Sequence, residues 1–183
     1  QLQRLIRADT VNPPGNERPV QEQTAALLRD AGFECELLEA QPERANLVAR
    51  LRGEADGPTL TLLSHVDTVK ADREEWSRDP WGGELVDGWI WGRGALDMKG
   101  QVASELAACL ALGRSGWRPP RGELMLVITC DEETGGDLGA RRGNRRVLRR
   151  FAGRCWTRRR RCSWNEAWIE CRCVTSLQKR MSI

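Results

Sequence analysis

Residues 58–67 read PTLTLLSHVD, and residues 123–133 read ELMLVITCDEE. Each is a short apolar run of Leu, Val, Ile and Thr that ends in ionisable side chains. Runs of this length and composition, set off by turn residues, predict strands. GEADG, 53–57, forms the turn before the first, and a helix-like run over 97–112 separates the two. Towards the N-terminus, residues 18–32 (RPVQEQTAALLRDAG) bring Val20, Ala25, Leu27, Leu28 and Ala31 to one helical face, stopped by Gly32. ECELLEA, 34–40, and NLVARLRG, 46–53, predict two more strands, the second half-buried by its alternation. GELVDGWIWG, 83–92, predicts a hairpin pivoting on Asp87-Gly88. Helices alternating with strands predict an α/β fold, with a mixed, largely parallel sheet flanked by helices. In such sheets, sites gather beyond the carboxyl ends of strands. That rule singles out His65 and Asp67 after one run and Asp131, Glu132 and Glu133 after the other.

The length of 183 residues suits one domain. With 40% hydrophobic and 30% charged residues the chain can bury a core and is not composed like a disordered one. It has no apolar run of about 18 residues, so no membrane-spanning helix is expected. The opening QLQRLIRADT lacks a signal-peptide apolar core, which points to the cytoplasm. The single His excludes any site that needs two imidazoles from this chain alone.

The net charge of +3 conceals two opposed parts. Residues 1–140 carry 15 basic and 24 acidic side chains, and residues 141–183 carry 14 basic and two acidic. The break falls just after GGDLGA and marks a boundary.

Three pieces of the first part can carry chemistry. His65 and Asp67, two apart in extended chain, face the same side. Asp67 could fix the tautomer of a metal-bound imidazole, although a satisfied His beside a surface Asp fits the same spacing. WGRGALDMKG, 91–100, surrounds Asp97 with glycines at the mouth of a helix. Asp97 could cap that helix or bridge two cations through its two oxygens. In CDEETGG, 130–136, three adjacent acids repel one another unless a cation is near. One Glu could bind metal while its neighbour moves a proton, and a solvated acidic loop is the plain alternative.

SHVDTV, then W-x-x-DPWGGELVDGWIWGRGALDMKG, then DEETGG occur in that order. Together they resemble the co-catalytic zinc amidohydrolases and exopeptidases that include aminoacylase, acetylornithine deacetylase, succinyl-diaminopimelate desuccinylase and the glutamate carboxypeptidases. DTVNPPGNE, 9–17, and ERANLVARLRG, 43–53, are similar to the same family. The resemblance covers about residues 1–140. It implies that His65 ligates one zinc, that Asp67 orients it, and that Asp97 bridges two zincs and is followed by a cis peptide. Glu132 would be the general base and Glu133 a ligand of the second zinc. The implied reaction is hydrolysis of the amide bond of an N-acyl amino acid or small peptide, with Co or Mn able to replace zinc. Complete members of the family are about twice as long. They insert a lid and dimerisation domain that also forms a homodimer, and they supply a later acidic ligand and a late His. This chain is therefore expected to be the N-terminal part of the catalytic domain, without the lid, holding one zinc or none.

Residues 141–183 depart from the pattern. They contain 13 Arg, four of the seven Cys and three of the eight Trp. Codons for these residues arise readily when G/C-rich DNA is read out of frame, so the tail is expected to be frameshifted and not natively folded. A basic arm for nucleic acid is the lesser reading. Cys155, Cys162, Cys171 and Cys173 make a poor zinc pattern. Cys35, Cys109 and Cys130 are expected to be small buried residues. Trp76, Trp81, Trp89 and Trp91 are expected to serve packing.

Overall fold

The computed structural model describes residues 1–139. The expectations for the tail, 141–183, lie outside the described residues. The elements are α1 (Leu2–Arg7), α2 (Arg18–Asp30), β1 (Glu34–Gln41), β2 (Arg44–Arg52), β3 (Thr59–His65), β4 (Glu84–Val86), β5 (Trp89–Trp91), α3 (Lys99–Arg114) and β6 (Glu123–Thr129). Among the described residues, no helix is long and apolar enough to cross a membrane.

A four-stranded sheet runs in the order β1-β2-β6-β3, and β4 pairs with β5 in a separate hairpin. The fold is the expected α/β class with a mixed sheet between helices and loops. Its parallel pairing among the described strands is confined to β3 and β6, while β1–β2 and β2–β6 are antiparallel. The reason is connection length. Only two residues join β1 to β2, enough for a hairpin alone, whereas β3 reaches β6 through α3, the long crossover that parallel neighbours require.

The two-residue period of a strand divides the core. Leu124, Leu126 and Ile128 of β6 join Leu47, Ala49 and Leu51 of β2 on the face covered by α2 and α3. There α2 contributes Val20, Ala25 and Leu28, and α3 contributes Val102, Leu106, Cys109 and Leu110. Full burial of one such Leu stabilises by roughly 1.5–3 kcal/mol. The alternate positions Val48, Met125 and Val127 form a second, smaller cluster with Leu38. Strand β2 is therefore buried on both faces over most of its length, not half-buried as its alternation suggested. Gln21 and Thr24 also belong to the buried face of α2, where Gln21 donates to the Ile128 carbonyl at 2.9 Å, while Leu27 is only half-buried.

Other expectations need correction. The third helix begins at Lys99, with Met98 in the cap position and no side-chain cap, so Asp97 does not cap it. Trp89 is 73% exposed and does not serve packing, and Trp91, 41% exposed, packs only in part. They lie on a two-stranded hairpin outside the main sheet, where Arg78 stacks over Trp91. Trp76 and Trp81 are half-buried, and Arg93 covers the Trp76 ring. Cys109 and Cys130 are buried and Cys35 partly so, all with free thiols.

Candidate metal centre

The parallel pairing of β3 with β6 builds the site. His65 pairs with Thr129 in register, and the Val66 N–H extends the ladder to the Thr129 carbonyl at 3.1 Å. Two parallel strands end at the same edge, so His65-Val66-Asp67 and Asp131-Glu132-Glu133 emerge side by side. A third segment closes over them. Gly94 has φ +78, and a Cβ there would meet the Thr68 side chain at 2.6 Å. Only glycine lets this loop approach the chain beside Asp67. The loop presents Asp97, and the peptide after it is cis.

His65, Asp97 and Glu133 each turn one potential ligand atom inward, and those atoms lie within 4.8 Å of one another. His65 is 6% exposed in its side chain, whereas the Asp97 side chain is 76% exposed at the mouth. The His65 Nε2 lies 3.3 Å from Asp97 Oδ1 and 3.6 Å from Glu132 Oε2. Its Nδ1 faces only acceptors, the Asp67 carbonyl at 3.1 Å and Asp67 Oδ1 at 3.4 Å. In the neutral imidazole the ring proton therefore sits on Nδ1, leaving the Nε2 lone pair for a cation in the carboxylates' shared space. One imidazole and two carboxylates suit a divalent cation of the zinc type. Among the described residues this is the one such cluster.

Asp67 is fully buried and works as a hub. Its Oδ1 accepts the Glu132 N–H at 3.2 Å, and its Oδ2 accepts the Glu133 N–H at 3.1 Å. Burial opposes its ionisation, but hydrogen bonds from His65, Asn12 and the Glu133 N–H outweigh that and hold its pKa below the usual range. Burial likewise opposes the His65 imidazolium. The hydrogen bond and charge of Asp67, with the charge of Glu132, overcome it and raise the pKa to about 9. Burial raises the Glu133 pKa against the opposing pull of His65, and the charges of Asp97, Asp67 and Glu132 add to the rise.

The turn that carries the two glutamates starts from Asp131, whose φ of 68 is uncommon for a residue with a side chain. Its carboxylate is anchored by Arg44 at 3.2 Å, Thr134 Oγ1 at 2.6 Å and the Leu138 N–H at 3.1 Å. Arg44 in turn makes a two-pronged pair with the buried Glu17, at 2.7 and 3.0 Å. Lys99, also fully buried, donates from Nζ to the Ala8 carbonyl at 3.0 Å, and burial lowers its pKa to about 8 against the pull of Asp9 and Asp67. Sequence reasoning missed Asn12, Glu17, Arg44 and Lys99 as part of this region. The first three lie in the DTVNPPGNE and ERAN segments that carried part of the resemblance, and that was their only signal.

With this geometry in place, comparison with known proteins defines the class. Residues 61–164 match the sequence profile of Peptidase family M20/M25/M40, and the chain belongs to that family. It is 43% identical over 133 residues to a succinyl-diaminopimelate desuccinylase of Xanthobacter autotrophicus, covering 70% of this chain and 33% of that protein. It is 41% identical over 150 residues to the desuccinylase of Rhodospirillum centenum, covering 79% and 36%. The chain thus spans about a third of the length of these curated relatives. The fold matches human carnosine dipeptidase 1 with a TM-score of 0.65 at 23% identity, over 75% of this chain and 32% of that one. A Staphylococcus aureus tripeptidase matches with a TM-score of 0.60 at 25% identity, over 80% and 39%.

Proposed function

We propose that the chain is the N-terminal part of a zinc-dependent hydrolase of amide bonds in N-acyl amino acids or small peptides. The observation that carries this is the meeting of His65, Asp97 and Glu133 within 4.8 Å, beside a second glutamate, at the carboxyl edge of the sheet. These three side chains would hold the cation, and Asp67 would keep the His65 lone pair aimed at it. Bound there, a divalent metal supplies Lewis acidity towards a carbonyl and towards water. Glu132, its side chain 60% exposed and 3.6 Å from His65 Nε2, would take a proton from the attacking water. The same carboxyl then returns that proton to the leaving amine. A second cation of a co-catalytic pair would need donors beyond these three. The substrates would include an N-succinyl amino acid, as the names of the desuccinylase relatives imply, and the setting would be the cytoplasm, where thiols stay reduced.

The one His and the one-third coverage of relatives favour a second reading for the 183-residue chain by itself: a fragment that binds metal and does not turn over. The nucleic-acid reading rests on the tail alone, outside the described residues.

The test is hydrolysis of a panel of N-acetyl and N-succinyl amino acids, with zinc content measured alongside. It uses this chain and a version whose codons after 140 are read in the other frames. Hydrolysis that needs zinc and is lost in Glu132→Gln, with metal retained, supports the proposal. Hydrolysis that survives Glu132→Gln removes its mechanism. Full turnover by the 183-residue chain removes the fragment reading.

A further inference from the structure

Asn12 lies against the buried Asp67, across from the turn that bears Glu132 and Glu133. Its backbone N–H donates to the Thr68 carbonyl at 2.9 Å, and the Thr68 N–H donates to the Thr10 carbonyl at 3.0 Å. Val11 and Thr68 thereby form a parallel bridge that lays this segment along the chain beside Asp67. The Asn12 residue is 4% exposed. Its Nδ2 lies 2.8 Å from Asp67 Oδ2, 2.9 Å from Thr134 Oγ1 and 3.3 Å from Asp131 Oδ1.

A side-chain amide has two protons to give. The two shorter contacts take them. The Thr134 hydroxyl then gives its own proton to Asp131 Oδ1 at 2.6 Å. Asn12 is thus a neutral double donor between two buried like charges. A carboxylate at this position would repel both. An aliphatic side chain would leave Asp67 Oδ2 with only the Glu133 N–H.

We propose that Asn12 is a positioning residue. By donating to Asp67 and Thr134 together, it locks the carboxylate behind His65 and the turn bearing Glu132 and Glu133 into one unit. The consequence for metal binding rests on the metal reading of His65, Asp97 and Glu133 given above.

The experiment uses the full 183-residue chain, its Asn12→Ala and Asn12→Asp variants, and Val48→Ala as a control from the smaller apolar cluster. Two quantities are measured: amide hydrogen exchange at Glu132 and Glu133 without metal, and affinity for added Co²⁺. Loss of an outer partner of a ligand typically costs about 10–100-fold in metal affinity. Asn12→Ala and Asn12→Asp should each speed exchange of those two amides and weaken Co²⁺ binding about tenfold or more. Val48→Ala should leave both unchanged. Asn12→Asp should be at least as damaging as Asn12→Ala. A role in packing alone predicts the reverse, because Asp keeps the shape of Asn. A nearly wild-type Asn12→Asp, or unchanged exchange in Asn12→Ala, overturns the proposal. A wild-type chain that binds no Co²⁺ overturns the metal reading instead, and the exchange rates still decide the role of Asn12. Should Asn12→Ala fail to fold, Thr134→Val removes one acceptor from an exposed position. It should speed the same two amides, and unchanged rates there also overturn the proposal.

Discussion

The carboxylate of Asp67 accepts the backbone N–H of Glu133 at 3.1 Å while its other oxygen lies 3.4 Å from the Nδ1 of His65. One buried side chain thus ties the end of β6 to the end of β3 and aims the imidazole between them. Asp67→Asn keeps the shape but turns one acceptor into a donor facing N–H groups. It should weaken zinc or Co²⁺ binding by about 10–100-fold and lower the melting temperature of the metal-free chain. Isothermal titration with Co²⁺ checks the first, and unchanged affinity would show that Asp67 does not orient His65.

Proton and metal compete for the Nε2 of His65. Its pKa, raised to about 9, has a definite sign for stability. In the metal-free chain the imidazolium–Asp67 interaction contributes fully below about pH 6.5 and is lost as pH rises through about 9. Metal affinity runs the other way, because the ligand must be neutral. Displacing one proton should strengthen Co²⁺ binding about tenfold per pH unit between pH 6.5 and 8.5. A flat profile over that range would mean that His65 is not a ligand.

Binding to the folded state alone should raise the melting temperature with the logarithm of free metal above Kd. At a hundredfold excess over Kd the stabilisation is about 2.7 kcal/mol. His65→Ala should remove the shift. Glu133→Gln should reduce it strongly, and Glu132→Gln should leave most of it. Equal losses from the two glutamate variants would erase the division of roles between them.

Arg44 and Arg52 begin and end the same strand but should behave differently. Arg44 is buried against Glu17, which has no exposed side-chain surface. Arg44→Met strands that charge and should cost about 3–5 kcal/mol in urea unfolding. Arg52 pairs with Glu34 with both side chains more than 60% exposed. Water screens that pair, so Arg52→Met should leave the midpoint nearly unchanged. Similar midpoints for the two variants would contradict the burial of the Glu17–Arg44 pair.

Burial pushes the Cys109 thiol up to about 11 and the Cys130 thiol up to about 12. Neither supplies thiolate near neutrality. Iodoacetamide at pH 8 followed by peptide mapping should leave both unmodified in the folded chain and modify both in urea. Rapid labelling of Cys130 without denaturant would show that the end of β6 opens readily.

His65, Asp67, Asp97, Glu132 and Glu133 stood out as candidates at local signals, the end of an apolar run, a Gly-rich turn or an acidic bend, but each signal had a plain alternative and only the family resemblance of the ordered motifs gave the residues their expected roles. The same signals marked the principal strands and the two longer helices, since two-residue and helical periods are properties of neighbouring residues. The short helix α1 left no comparable pattern, and the start of α3 was misplaced by two residues at the Asp97-Met98-Lys99 boundary. Tertiary structure alone decided what depends on distant segments. Strand β2 is an inner strand of the sheet, and its two sets of alternate positions pack into separate apolar clusters on opposite faces, which its alternation does not record. Asn12, Glu17 and Arg44 join the site because the parallel bridge at Val11 and the antiparallel placement of β2 bring them to Asp67 and Asp131. A polar residue in a loop carries no sign of its partner when that partner lies 55 or 87 positions away, as Asp67 does from Asn12 and Asp131 from Arg44. Burial converts those separations into contacts, because a desolvated carboxylate needs donors wherever the fold can supply them.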